Sequence, residues 1–348
     1  MEALRTSLLR SDPTETLRRA SRQPLIARVA DGLARAEFDP SARALLLVSG
    51  GSDSMALLLA MATLADRVGT AARSKLAVLS IDHRLREESA REVELVASTA
   101  RALGVGSCVC ERVEVKHDAN VLAAARDARY SAAVRLAQRL EIRTLVVAHQ
   151  AEDRAESLLL ALERGDGLES LARLRPRRVM HDWGEVSIAR PLLDISRADL
   201  RTFLNECNVD WIEDPSNAFH ARGAMRGEPA VALLVERLAR GIGTLADEAL
   251  DCLQWREQRV AEILGRDKTS CSREDFDKLP LSFRCHLIAQ LVRSGGGEMS
   301  RSMIEIAASS DSRAPRRYGC SNGMQLTIDA RGVRIVRSEF TAPIDIRP

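Results

Sequence analysis

From residue 43 onward, short uninterrupted apolar runs alternate with longer amphipathic stretches. The runs ALLLVS (44–49), LAVLSI (76–81), CVCERVEV (108–115), TLVVA (144–148) and VSIAR (186–190) have the length of strands. The stretches between and after them, 54–67, 88–104, 121–140, 151–164 and 196–206, repeat apolar residues at helical spacing. Strands without polar alternation are buried on both faces, so the pattern predicts an α/β fold: a parallel sheet with helices on both faces. In such sheets ligands sit at the carboxyl ends of the strands. Residues 1–42 alternate Leu, Ala and Ile with Arg and predict an N-terminal helical extension. The Arg-rich stretch within 165–182 (RLRPRRVMHD) reads as an exposed loop. After Asn217 the periodicity breaks at FHARGAMRGEPA, with two Gly and a Pro. The predicted domains are therefore 1–42, 43–222 and a smaller, mainly helical region over 223–348. In the last, 230–265 reads as one long helix or two, 274–294 and 301–308 as further helices, and 324–337 as a β-hairpin around Ala330-Arg331-Gly332.

Composition narrows the function. The 348 residues carry 51 Lys and Arg against 49 Asp and Glu, so affinity for a polyanion must come from local clusters such as 173–178 and 313–317. Aromatic residues are 3% of the chain, too few for a surface that reads many unstacked bases by stacking. The seven cysteines are scattered, with no C-x-x-C pair, which reads as reduced thiols in a cytoplasmic chain. No apolar run approaches the roughly 20 residues of a membrane span, so no membrane partner is expected.

The sharpest chemical signal is ALLLVSGGSDSMALLLAM (44–61), a strand that delivers Ser49, Gly50, Gly51, Ser52, Asp53 and Ser54 into an apolar helix. Paired glycines allow close backbone approach, the serines add hydroxyls, and a helix start adds about half a positive charge. The stretch is an anion cradle. It has no Lys and lacks G-x-x-x-x-G-K-[ST], which disfavours an ordinary P-loop. Asp53 beside a phosphate calls for a cation, and Mg²⁺ is the natural one.

A second constellation follows the fourth strand in AHQAEDRAESLLLALERGDG (148–167). At helical spacing His149, Asp153 and Glu156 share one face, while Ala151, Ala155, Leu158 and Leu162 share the opposite one. The polar face is expected to point away from the core, either as a solvated surface or as a site that holds an ammonium or Mg²⁺. A third stretch, 120–140, carries Arg126 and Arg129 ahead of Tyr130 on an Ala-rich helix; Arg offers a bidentate fork for phosphate, or a solvated charge. Asp194 and Ser196 in RPLLDISR read as a turn and a helix cap, and Asp214-Pro215-Ser216-Asn217 as a turn.

SGGSDS in this setting resembles the pyrophosphate-binding loop of PP-loop ATP pyrophosphatases, and implies a Rossmann-like sheet of that type. Taken in order, SGGSDS, IDHRLREESARE (81–92), AAARDARY, AHQAEDRAES with ERGDG, RPLLDISR and WIEDPSN resemble the serial motifs of the tRNA(Ile)-lysidine synthetase family from about Arg43 to Asn217. The resemblance implies ATP-dependent ligation of free lysine to C2 of the wobble cytidine of a CAU-anticodon tRNA(Ile), through an adenylated cytidine, with release of AMP and diphosphate. It implies ATP and Mg²⁺ as cofactors, tRNA(Ile) and L-lysine as partners, and a homodimer. By position, Ser49 to Ser54 would hold diphosphate, Ile81 with Asp82 and His83 would border adenine, and Arg126 would meet phosphate. His149, Asp153 and Glu156 would form the catalytic, lysine-handling face, Arg222 would follow the Asp-Pro-Ser-Asn motif, and Asp53 and Asp153 would meet metal.

The chain departs from the family pattern at Gln150, Glu152, Arg154, Ser157 and Gly223. Other readings are a PP-loop thiolase, disfavoured by the missing C-x-x-C, a glutamine-dependent amide synthetase, disfavoured by the missing glutaminase segment, and a tRNA-binding homologue with impaired catalysis.

Overall fold

The computed structural model describes residues 7–82, 89–112, 121–164, 167–180, 184, 186–213, 227–265, 269–311 and 313–338, without the side chains of 82, 89–90, 112, 121–126 and 173. It divides into two compact units, 1–249 and 250–348. The division falls inside the helix Ile242–Leu264, downstream of the composition break that places a boundary at 222/223.

The first unit is built on a six-stranded sheet of β1 (Ala44–Leu47), β2 (Leu76–Asp82), β3 (Ser107–Arg112), β4 (Thr144–Val146), β5 (Arg177–Met180) and β6 (Val186–Ala189), ordered β3-β2-β1-β4-β6-β5. All neighbours pair in parallel except β5, which runs antiparallel to β6 at the edge. The predicted exposed loop at 165–182 therefore contains a strand, and Leu168–Arg173 forms a 3₁₀ turn. Arg-rich RRVM has no apolar alternation, which hides an edge strand from pattern reading.

Alternate strand residues feed two cores. Ala44, Leu46, Val78 and Val146 share a core with α1 (Pro13–Ser21), α2 (Pro24–Arg35), α3 (Ser52–Val68), α4 (Thr70–Arg73), α5 (Ser89–Ala102) and α8 (Arg197–Glu206). Leu45, Leu79, Leu145 and Ile188 face α6 (Val121–Arg139), through Tyr130, Ala133 and Leu136. Helix α3 is apolar all round because it is enclosed: Met55 to Leu59 are all buried, between the sheet and the N-terminal helices. Residues 13–35 are thus part of the core, with Ile26, Val29 and Leu33 fully buried. Asp12 caps α1 by accepting the Thr14 N–H at 2.8 Å, and Pro13 and Pro24 open the two helices where a proline costs no backbone bond.

The second unit holds an antiparallel sheet ordered β7-β10-β9-β8, of β7 (Ser270–Ser272), β8 (Arg316–Gly319), β9 (Met324–Ile328) and β10 (Gly332–Arg337). It packs with Leu281–Ser294 around Phe276, Leu287, Leu291, Leu326 and Val333. The β9–β10 pair is the predicted hairpin, closed by Asp329, whose Oδ1 accepts the N–H groups of Arg331 (2.8 Å) and Gly332 (3.2 Å). β7 and β8, three and four residues long, are too short to carry a period.

Candidate functional site

In the strand order, β2 and β3 lie on one side of β1, and β4 and β6 on the other. The carboxyl ends of β1 and β4 therefore flank the switch point, where open α/β sheets bind ligands. The segment after β1 is Ser49–Ser54, and the segment after β4 leads through His149 into α7 (Ala151–Glu163). The two constellations named from sequence are neighbours at this place.

The phosphate-type loop has an internal scaffold. Ser54 Oγ donates to the Gly51 carbonyl (2.9 Å) and accepts the Ser49 N–H (3.2 Å), while Ser52 Oγ donates to Asp53 Oδ1 (3.2 Å). Gly51 is the N-cap of α3 and offers no side-chain cap. The first-turn N–H groups of a helix have no intrahelical acceptor, so an uncapped start directs them at a ligand.

The two glycines have different reasons. Gly50 has φ +90°, and a Cβ there would lie 2.7 Å from Ile212 Cδ1 and 3.2 Å from Val96 Cγ2, so the fold itself requires glycine. Its carbonyl accepts the Ile212 N–H at 2.9 Å, which ties the WIEDPSN segment to the loop. At Gly51 a Cβ would meet nothing nearer than Ser49 Oγ at 3.9 Å. Among the described residues nothing crowds a Cβ at 51, so the backbone there is open to close approach.

Helix α7 departs from the expectation that its polar face points outward. Glu156 is fully buried (0%), Asp153 is 9% and Arg154 3% exposed, whereas Leu162 on the supposed core side is 63% exposed. The cover is the RPLLDISR turn, which brings Arg197 Nη2 to 4.0 Å from Glu156 Oε1, while α9 (Pro229–Ala239) packs Val235 and Ala239 onto Ala151 and Ala155 on the opposite face. Three contacts fix that turn to α7. The Ala151 N–H donates to Ile195 O (3.1 Å), both oxygens of Glu152 accept the Arg197 N–H (3.1 Å each), and Arg154 Nη1 donates to Asp194 Oδ1 (2.8 Å). Ser196 caps α8 by accepting the Asp199 N–H at 3.1 Å, as its place in the sequence predicts.

Gln150 and Asp153 form a capping box: Gln150 Oε1 accepts the Glu152 N–H (2.6 Å) and Asp153 Oδ2 accepts the Gln150 N–H (3.0 Å). Burial pushes the Glu152 carboxyl above the usual carboxylate range, against the opposing pull of the Arg197 N–H; the nearby Asp53 charge pushes the same way as burial. Arg197, a residue the sequence reading passes over, stands between the constellations, its Nε 3.7 Å from Asp53 Oδ2 and its Nη2 4.0 Å from Glu156 Oε1. Asp53 and Glu156 are thereby brought to one cation, with His149 half-buried in the segment before α7. Ile81 lies at the end of β2, partly buried against the second core. Arg126 is on α6 with its side chain outside the described residues; His83, Asp214 to Asn217 and Arg222 also lie outside them.

A PP-loop domain model matches residues 24–228. The tRNA(Ile)-lysidine synthase of Novosphingobium aromaticivorans is 34% identical over 267 residues, 76% of this chain and 79% of that protein. The chain belongs to the tRNA(Ile)-lysidine synthase family. The synthase of Ruegeria pomeroyi is 33% identical over 319 residues, 87% of this chain and 73% of that protein. Among solved structures, the U34-tRNA thiolase NcsA of Methanococcus maripaludis, with its [4Fe-4S] cluster, aligns at 14% identity and a TM-score of 0.49, over 67% of this chain and 80% of that one.

The departures of this chain from the lysidine synthase pattern have structural work in α7. Gln150 is its cap, Glu152 holds α8, and Arg154 is a buried tie whose Nε also donates to Leu174 O at 3.2 Å. Asp194 and Asp247 face Arg154 and are both shared with Arg35. Arg154→Met is expected to lower stability by about 2 kcal/mol, because the Leu174 carbonyl loses its donor while Asp194 keeps Arg35 and water. The midpoint of urea unfolding reads this loss; an unchanged midpoint would show that Arg35 alone suffices.

Proposed function

We propose that this protein ligates free L-lysine to C2 of the wobble cytidine of a CAU-anticodon tRNA(Ile), consuming ATP and releasing AMP and diphosphate. The observation that carries the reading is the meeting of an uncapped, lysine-free glycine turn with a buried acidic helix at the switch point of a PP-loop sheet. The turn suits the diphosphate portion of ATP, and Ile81 borders the adenine side. The cytidine C2 oxygen attacks the α-phosphorus, and the lysine amine then displaces AMP from C2.

The carboxylates fit the amine step. Lysine arrives as an ammonium with a reference pKa near 10.4, so it must be bound by anions and then lose a proton. Asp153 and Glu156 supply the anions, and His149, half-buried in the segment that leads into α7, is the candidate that receives the proton. Enclosure of α7 excludes water and strengthens both contacts.

Mg²⁺ fits the oxygen donors at the turn. Asp53 at the start of α3 is the first candidate ligand, and Asp153, which already accepts the Gln150 N–H, the second. Among the described residues no three His, Cys, Asp or Glu side chains group closely enough to hold a metal alone, so a bound Mg²⁺ would share its shell with phosphate oxygens and water. When bound it supplies charge neutralisation of the diphosphate.

Thiolase chemistry fits less well. Burial pushes the thiols of Cys108, Cys207 and Cys271 up to about 12, and Cys108 and Cys110 sit on the edge strand β3 rather than at the switch point. The acids at 153 and 156 also speak for catalysis, since the altered positions around them serve as a cap and ties. Incubation with ATP, Mg²⁺, unmodified tRNA(Ile) transcript and labelled lysine is expected to place label in the tRNA with matching AMP release. AMP release that requires a sulfur donor, or tRNA binding without AMP, would overturn the assignment.

A further inference from the structure

We propose that Arg197 binds the diphosphate leaving ATP, releasing Glu156 to the lysine ammonium as it does so. The inference rests on the ligase reading above and names a residue for one of its steps.

Arg197 stands in a place that structure alone does not favour. It opens α8, where the helix dipole disfavours a cation. Its side-chain contacts to Asp53 and Glu156 are 3.7 and 4.0 Å, too long for hydrogen bonds, whereas Arg154 reaches Asp194 at 2.8 Å. Among the described residues the Arg197 guanidinium donates no hydrogen bond, although it carries five N–H groups. The fold anchors this residue by its backbone, through Glu152, and leaves the side chain loosely held between a phosphate-type turn and a buried carboxylate.

The charges then fall into place. Glu156 is fully buried, and a buried carboxylate needs a cation at hand. An arriving lysine ammonium brings a second cation to the acidic helix, and an arriving ATP brings an anion to the turn beside Asp53. Pairing the ammonium with Glu156 and the guanidinium with phosphate keeps a cation beside the buried carboxylate while one is supplied to the leaving diphosphate. In adenylation the bond from the cytidine C2 oxygen to the α-phosphorus forms, and the bond from that phosphorus to the bridging oxygen breaks. The electron pair stays on the diphosphate, where a planar guanidinium fork is well suited to receive the growing charge.

Arg197→Gln keeps the backbone N–H that Glu152 accepts, so it tests the side chain rather than the helix. Calorimetric titration with Mg²⁺ and inorganic diphosphate is expected to show affinity lowered at least about tenfold, the worth of one charge-assisted contact. KM for ATP should rise in step while KM for lysine stays level or falls, and Arg197→Lys should recover part of the diphosphate affinity. Unchanged diphosphate affinity, or KM values for ATP and lysine that rise together, would overturn the proposal. Diphosphate binding needs neither lysine nor tRNA, so a wild-type protein that binds diphosphate yet incorporates no lysine would sink the ligase reading separately.

Discussion

Asp153→Asn is expected to lower lysine transfer by about 100-fold or more while tRNA binding and the unfolding midpoint stay close to wild type. The carboxylate has one duty in this structure and a second under the proposed function, and the substitution separates them. Its Oδ2 accepts the Gln150 N–H at the start of α7, a duty an amide oxygen performs equally well. The negative charge that would hold the lysine ammonium is lost, and removal of one partner of a water-excluded ion pair costs about 3 kcal/mol, which is that hundredfold. Asp153→Ala, which also removes the cap, should lose about 1 kcal/mol of stability in addition. Label incorporation into tRNA, with a filter-binding control, reads the first effect. An Asn variant of full activity would remove Asp153 from the lysine-handling face.

The second large effect is expected at the glycine pair, where neighbouring positions should give different phenotypes. Gly50→Ala forces a Cβ onto a backbone with φ +90° and into contact with Val96 and Ile212, so about 2 kcal/mol of stability should go with the loss of ATP binding. Gly51→Ala makes only ordinary contacts, at 3.9 Å or more among the described residues, and should leave the unfolding midpoint unchanged, yet lower ATP affinity about tenfold or more where its methyl group stands in the way of phosphate. Thermal unfolding and nucleotide titration of the two variants check both halves. Equal stability loss at the two positions would mean that the turn is glycine-rich for folding alone.

The sheet and its carboxyl-end site were legible because both rest on local pattern. Five apolar runs became β1 to β4 and β6, and the stretches between them became α3 and α5 to α7, within a few residues at each end. What pattern could not show was tertiary cover. The face of α7 with Asp153 and Glu156 looks solvated by helical spacing, and it is buried because the 190–197 turn, distant in sequence, lies over it. Arg197 is inconspicuous in the sequence for the same reason: in RPLLDISR it is one Arg among many, and its meaning comes from Asp53 and Glu156, which lie 144 and 41 positions away. Gly50 and Gly51 look alike in sequence; their surroundings separate them.

The antiparallel edge strand β5 has a consequence for how the chain behaves in a crowded solution. Its neighbour β6 is buried at every position, and without β5 the sequence Val186–Ala189 would end the sheet as an open, sticky ladder ready to recruit a strand from another molecule. β5 replaces that edge with one lined by exposed Arg177 and Arg178, the first of them paired with Glu37. An edge that carries an exposed guanidinium at Arg178 and an ion pair at Arg177 is a poor template for an apolar strand, so β5 blunts the ladder that β6 would otherwise leave open.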